Sequence, residues 1–328
     1  MPPIMAQPRP TRHATAADPI QWRTMANRAH DTTDDRIDAS DVALVLEGGG
    51  MRNAYTAPCI EVLLRNGVDV GWVGGISAGA TLTANYLSGS IDRARATFTT
   101  MTDNAEFGGW GSFLRGRGYF NAEWIYEQSP TVTTSGVGPY PFDHFLESKT
   151  EMRIGAVRAD TGENVYWSRD DVDSLQTLMK YVRASSTLPG FMVPPVIDGV
   201  RYVDGALGPS GGIPLQIAQE DGYEKFLVIM SRERSYVKPP VARPAIMRRI
   251  FRREPAVAEA LIKRPELYNA TRAELFELER QGKAILFFPD EMTLSNRERD
   301  LAKLTAAYEA GLKQAEREWP RWREFFGA

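Results

Sequence analysis

The stretch Gly75-Ile76-Ser77-Ala78-Gly79 constrains this chain more than any other. A short apolar strand near Trp72-Val73 precedes it and helical spacing follows. A strand-to-helix turn this sharp needs small neighbours, and glycine two residues before and two after the serine supplies them. The hydroxyl is then presented at a helix N-terminus, where free N–H groups favour negative charge. The pattern is the G-x-S-x-G nucleophile elbow. Read alone, it also describes a tight connection with an idle serine.

A serine nucleophile needs a base. The chain has His13, His30 and His144, and none follows position 144. The acid-then-histidine order expected after an elbow serine is therefore absent. His144, in YPFDHFLES, reads as a surface or packing residue. The alternative base is a carboxylate. Asp204 lies in RYVDGALG, after a strand and directly before Gly205, which lets the chain turn. By itself it is equally a turn aspartate. Asp198-Gly199 falls between two halves of a hairpin and is a turn.

Gly48-Gly49-Gly50-Met51-Arg52 also stands between a strand and a helix. Successive glycines expose backbone N–H groups, and two readings compete. One is an oxyanion hole. The other is the phosphate cradle of a dinucleotide fold, for which Asp69 has the right distance, although Asn53 replaces the third glycine. No P-loop lysine follows. The oxyanion reading joins the loop to Ser77 and Asp204, whereas the dinucleotide reading leaves Ser77 idle.

The remainder of the chain organises around these pieces. Residues 1–40, rich in Pro, Ala, Thr and Asp, read as a flexible N-terminal arm. Val42–Leu46 is a buried apolar strand, and the alternation of strand and helix that follows predicts a parallel sheet covered by helices. A catalytic domain is expected over 41–235. A C-terminal region, 236–328, is expected to add one strand, KAILFFP, and amphipathic helices packed on that domain. Its single cysteine, Cys59, excludes an intramolecular disulfide and a cysteine metal cluster. With a formal net charge of -3 the chain does not look like a nucleic-acid binder. The N-terminal stretch lacks an apolar signal core and no apolar run is long enough to span a bilayer, so a cytoplasmic protein is expected.

Four motifs, EGGGMRNAYTA, GGISAGA, RASSTLPG and YVDGALG, resemble the patatin-like phospholipases in the order that family has them, over most of residues 42–231. The nearest resemblance is to bacterial patatin-like proteins that continue into a helical C-terminal region. It implies a three-layer α/β/α fold with a mainly parallel central sheet. It also implies a Ser–Asp dyad: Ser77 as nucleophile and Asp204 as proton acceptor, meeting at the ends of neighbouring strands. Gly48, Gly49, Gly50, Met51 and Arg52 match the family's oxyanion loop, and Gly75, Gly79 and Gly205 support the elbow and the turn. The segment from Arg183 to Pro189 matches one that packs beside the site, so Ser185 and Ser186 are not rival nucleophiles. The family usually has glycine at position 53 and frequently aspartate at 47. Asparagine tolerates left-handed backbone angles, so the loop could keep its shape.

The expected function is a serine acyl hydrolase of lipase or phospholipase type, acting on a lipid or fatty-acyl ester with neither metal nor cofactor. The alternative is a non-catalytic lipid- or nucleotide-binding relative of the same fold. Arg243, Arg248, Arg249, Arg252 and Arg253 interleave with Ile246, Met247, Ile250 and Phe251. Such a segment can lie on anionic lipid, making the protein peripheral to the membrane. The competing reading is a solvated helix face docked on the domain. The aromatic loop from Trp110 to Phe120 is read as lining an acyl pocket, capping the site, or plain core.

Overall fold

A computed structural model describes residues 36–328. His13, His30 and most of the expected N-terminal arm lie outside the described residues. Residues 37–40, assigned above to that arm, instead open the first strand.

The strands are β1 (Ile37–Leu46), β2 (Val68–Ile76), β3 (Glu151–Arg158), β4 (Asn164–Trp167), β5 (Val196–Ile197), β6 (Val200–Asp204), β7 (Lys225–Ile229) and β8 (Ala284–Phe287). They form an 8-stranded sheet in the order β5-β6-β3-β2-β1-β7-β8, with β4 also paired to β3. β3, β2, β1, β7 and β8 run parallel, whereas β4 and β6 are antiparallel to β3. The helices are α1 (Asn53–Arg65), α2 (Ala78–Leu87), α3 (Ile91–Phe98), α4 (Trp110–Leu114), α5 (Phe142–Glu147), α6 (Leu175–Ser186), α7 (Leu215–Glu220), α8 (Pro244–Ile250), α9 (Pro255–Arg280) and α10 (Leu301–Phe326).

Both faces of the sheet are covered, which is why β1 reads as a continuous apolar run rather than an alternation. Val42, Leu44 and Leu46 enter a core built with α1, α2, α3, α6 and α10. Ala43 and Val45 point the other way, into a core with α7 and α9. Each buried Val or Leu contributes about 1.5–3 kcal/mol. The layering is thus helix, sheet, helix, with a mainly parallel sheet, as expected.

The C-terminal region is built into this frame. β8 extends the sheet beside β7, and α10 packs on α1. The α1–α10 approach is very close: a Cβ on Gly311 would lie 1.9 Å from the Tyr55 carbonyl oxygen. Beside it the Tyr55 hydroxyl donates to Gln314 Oε1 at 2.7 Å. Long α9 was not anticipated as a helix of its own; Pro255 at its first turn starts it and Pro265 lies inside it.

Candidate active site

Register alone brings the predicted residues to one edge of the sheet. Leu46 of β1 pairs with Gly75 of β2, so the glycine loop and the elbow leave the parallel strands side by side. Ile76 pairs with Gly155 of β3, and Ala156 pairs with Asp204 of β6. Ser77 and Asp204 therefore flank Ala156. They are not on neighbouring strands, as the sequence suggested, because β3 runs between them. It presents Gly155 and Ala156 there, so little side-chain bulk separates the two.

The elbow is strained. Ser77 has φ 59°, ψ −125°, outside the regions open to ordinary L-residues, and the strain is held by the surrounding structure. A Cβ on Gly75 would lie 2.1 Å from the Gly79 carbonyl oxygen, and one on Gly79 2.2 Å from that of Leu46. Glycine is obligatory at both because backbone meets backbone. Gly205 is equally confined, against the Gly155 carbonyl oxygen at 2.2 Å.

Ser77 is buried, with 8% of its surface exposed, and its hydroxyl lies near enough to the Asp204 carboxylate to favour its ionised form. Burial raises the Asp204 carboxyl above its ordinary 3.8. The Arg264 charge, the Ala206 N–H and the Ser77 hydroxyl oppose that rise. The Ala206 N–H donates to Asp204 Oδ1 at 2.9 Å and fixes the carboxylate's orientation.

The glycine loop touches the elbow: a Cβ on Gly48 would fall 3.0 Å from Ser77 Cβ. Its donors are fewer than the sequence implied. The Gly48 N–H already donates to the Gly212 carbonyl at 3.0 Å, and that of Met51 to the Asn296 carbonyl at 3.1 Å. These two amides are spent on holding the loop. Among the described residues nothing accepts from Gly49 or Gly50 N–H, so the loop's spare donors narrow to that pair. The φ of Gly50 is +58°, the left-handed conformation that glycine provides freely. Arg52 closes the turn and contributes a buried guanidinium.

Asn53 does not use the backbone freedom anticipated for it. Its φ is −68°, ordinary right-handed helix, so glycine is not required at this position. Its side chain instead covers Gly49 and donates from Nδ2 to the Glu47 carbonyl at 3.1 Å. Glu47 is buried, and its longer arm reaches across the sheet edge. Its carboxylate accepts from Tyr268 Oη on α9 at 2.8 Å and from the Ser231 N–H at 2.5 Å.

Some contributors were missed. The Ser185 hydroxyl accepts from the Ser77 N–H at 2.9 Å, and the Thr187 carbonyl accepts from the Asp204 N–H at 2.9 Å. The Tyr126 phenol, pushed up by desolvation, lies close enough for the Asp204 charge to raise it further. Arg264 arrives from α9, more than 180 residues after Ser77, at no recognisable spacing.

His144 is exposed on α5 against Gly89 and takes no part. Asp69 lies at the start of β2, the far end from the glycine loop, and pairs with Arg36. A ribose-binding acid belongs at the other end, so the dinucleotide reading of Asp69 falls. Trp110 (73% exposed), Phe113 and Leu114 project into solvent rather than into a core. Among the described residues no helix is long and apolar enough to cross a membrane, and no acidic, His or Cys cluster could hold a metal ion.

A three-layer fold with a serine on a strained strand–helix elbow and a glycine loop against it defines a nucleophile-elbow α/β protein. Comparison with known families narrows this class: the model for Patatin-like phospholipase matches residues 44–218, more than half of the chain. The chain belongs to that family. A second model, for a domain of unknown function (DUF6363), matches residues 254–327. Among curated proteins, the Escherichia coli protein YjjU is 29% identical over 195 residues, 57% of this chain and 51% of that protein. The NTE family protein Rv1063c of Mycobacterium tuberculosis is 26% identical over 166 residues, 51% of this chain and 42% of its own. The lysophospholipase NTE1 of Mycosarcoma maydis is 28% identical over 171 residues, 52% of this chain but 9% of its own. The chain thus spans about half the length of the first of these relatives and less of the others. Among solved structures, VipD from Legionella pneumophila superposes with a TM-score of 0.46 at 13% identity, covering 85% of this chain and 66% of that one.

Proposed function

We propose that this protein is a serine acyl hydrolase of the lipase or phospholipase type. In this reading it cleaves fatty-acyl esters through Ser77 and Asp204. The observation that carries the proposal is the juxtaposition, across Ala156, of the strained, buried Ser77 and a desolvated Asp204 carboxylate. Family membership and the lysophospholipase among the relatives support lipid as the substrate class.

The chemistry follows from the groups present. Asp204 accepts the Ser77 proton as Oγ attacks the ester carbonyl, and desolvation makes the carboxylate a stronger base than in water. The tetrahedral oxyanion is received by the Gly49 and Gly50 amides, aided by the orphan N–H of Ala78 at the N-terminus of α2. Each such donor is worth about 3 kcal/mol. Asp204 returns the proton to the departing alcohol, leaving acyl-Ser77. Water then gives its proton to Asp204, attacks the acyl carbon, and releases fatty acid as Ser77 recovers its hydrogen.

A fluorophosphonate probe tests the assignment, because only an activated serine is labelled. Wild-type protein is expected to label and to hydrolyse a chromogenic fatty-acyl ester, and Ser77→Ala to do neither. An unlabelled wild type would instead favour a non-catalytic lipid-binding relative.

Peripheral membrane contact forms part of the same proposal. α8 has no buried residues, Ile246 and Ile250 are exposed, and Arg248 pairs with Glu259. Flotation with anionic liposomes is expected to weaken when Arg243, Arg249, Arg252 and Arg253 are replaced by Gln. Unchanged flotation would end the membrane assignment.

A further inference from the structure

Beside the glycine loop the structure gathers Arg52, Arg232, Lys238 and Arg264, none of which forms a salt bridge among the described residues. Arg52 has 8% of its surface exposed, and its Nε is fully buried without a hydrogen-bond partner. Among the described residues no carboxylate pairs with its guanidinium. The Arg232 Nε is likewise buried and unpartnered, and that guanidinium lies over the Tyr236 ring at 4.5 Å. The Lys238 ammonium lies over Tyr268 at 4.2 Å, with no carboxylate in salt-bridge range among the described residues. Arg264 spends its Nε on the Gly211 carbonyl at 3.2 Å. The neighbouring Arg272 is different, since it donates to the Glu233 and Arg234 carbonyls and is satisfied.

Two carboxylates reach this group: Glu47, whose oxygens are already engaged by Tyr268 and Ser231, and Asp204, whose charge Arg264 feels. The imbalance acts on the cations themselves. Lys238 is pushed down to about 7 by burial and then by Arg264, with Glu47 opposing and Arg52 and Arg232 adding to the fall. Arg52 is pushed down to about 10, by burial first and then by Arg232. Unpaired buried charge is expensive, and a bound ligand of opposite sign would offset that cost. Guanidinium forks match phosphate oxygens in geometry as well as charge.

We propose that Arg52, Arg232, Lys238 and Arg264 form a binding site for a phosphate oxyanion next to the Ser77 loop, filled by a lipid headgroup or by free phosphate. Assigning it to a headgroup rests on the hydrolase reading; the site itself does not. The two matched regions share it. Arg52 comes from the patatin-like part, Arg264 from the part matched as a domain of unknown function, and Arg232 and Lys238 from the segment joining them. Completing an anion site at the edge of the glycine loop is thus a role for that C-terminal region.

The test is made on Ser77→Ala protein, so that binding is read without turnover. Inorganic phosphate is expected to raise its Tm by roughly 5 °C at a hundredfold excess over Kd. Chloride at equal ionic strength should not do so. The added substitutions Arg232→Gln and Lys238→Gln are expected to remove most of that rise. Hexylphosphocholine, a monomeric headgroup analogue, is titrated in parallel. Displacement of phosphate by it upholds the site and assigns it to a headgroup; phosphate binding without displacement upholds the site and assigns it to the free anion. Equal stabilisation by phosphate and chloride overturns the proposal, as does undiminished phosphate binding in the substituted protein. Should the substituted protein fail to fold, 31P line broadening of phosphate by the Ser77→Ala protein decides, and no broadening overturns the proposal. Phosphate binding in a protein inert to fluorophosphonate would remove the hydrolase reading and leave the site standing.

Discussion

The backbone N–H of Ser77 donates to the hydroxyl of Ser185 at 2.9 Å. Two residues beyond Ser185, the Thr187 carbonyl receives the Asp204 N–H. The end of α6 therefore grips the backbone of both proposed reacting residues. It acts as a jig for the site, and its serines matter for position rather than as nucleophiles.

Ser185→Ala should leave a buried N–H on the strained elbow without an acceptor, at a cost of about 1–3 kcal/mol. Tm should fall, and kcat on a fatty-acyl ester should fall while KM changes little. Ser185→Thr, which keeps the hydroxyl, should restore part of both. An unaffected kcat in the alanine variant would show that the elbow does not need this anchor.

Asp204 sets a pH dependence whose sign is fixed. Its folded carboxyl is raised above the ordinary 3.8, so the native state holds its proton to higher pH than the unfolded chain does. Hydrolysis needs the ionised form and should be lost as pH falls through the raised value, giving an acid limb in kcat/KM above that of an ordinary aspartate. Stability runs the other way: ionising this buried group destabilises the fold as pH rises from 3.8 through the folded value. Asp204→Asn should thus abolish turnover yet raise Tm at neutral pH, with the gain vanishing below pH 3.8. A lower Tm for Asp204→Asn at neutral pH would contradict the desolvation argument.

Asn53→Gly restores the residue usual in the family without restoring any backbone need, since φ there is −68°. The variant should lose the bond to the Glu47 carbonyl and about 0.3 kcal/mol of helix propensity. Its Tm should drop by a few degrees while turnover stays within several-fold. A hundredfold loss would mean that the asparagine itself shapes the oxyanion donors.

Tyr268→Phe removes the hydroxyl that α9 extends to buried Glu47. A hydrogen bond to a charged group is worth about 1.5–3 kcal/mol, so thermal unfolding should shift down by several degrees. Because Glu47 precedes the glycine loop, the loss should also reduce turnover. Turnover equal to wild type would show that the C-terminal region stabilises the fold without tuning the loop.

What the sequence determined alone was whatever local backbone geometry demands. The elbow glycines, the triple-glycine loop, the apolar run of β1 and the Asp198-Gly199 turn, with φ of +50° and +78°, follow from constraints spanning a few residues. Asp204 could be singled out only because other motifs made sense of it. Tertiary structure decided the rest. It ran β3 between the proposed dyad residues, occupied the Gly48 and Met51 amides, and turned Ser185 into an anchor. It also delivered Arg264 and Tyr268 from a helix far along the chain. Those facts depend on which strand lies beside which and on which donors find acceptors across the fold, and residue spacing carries no record of either.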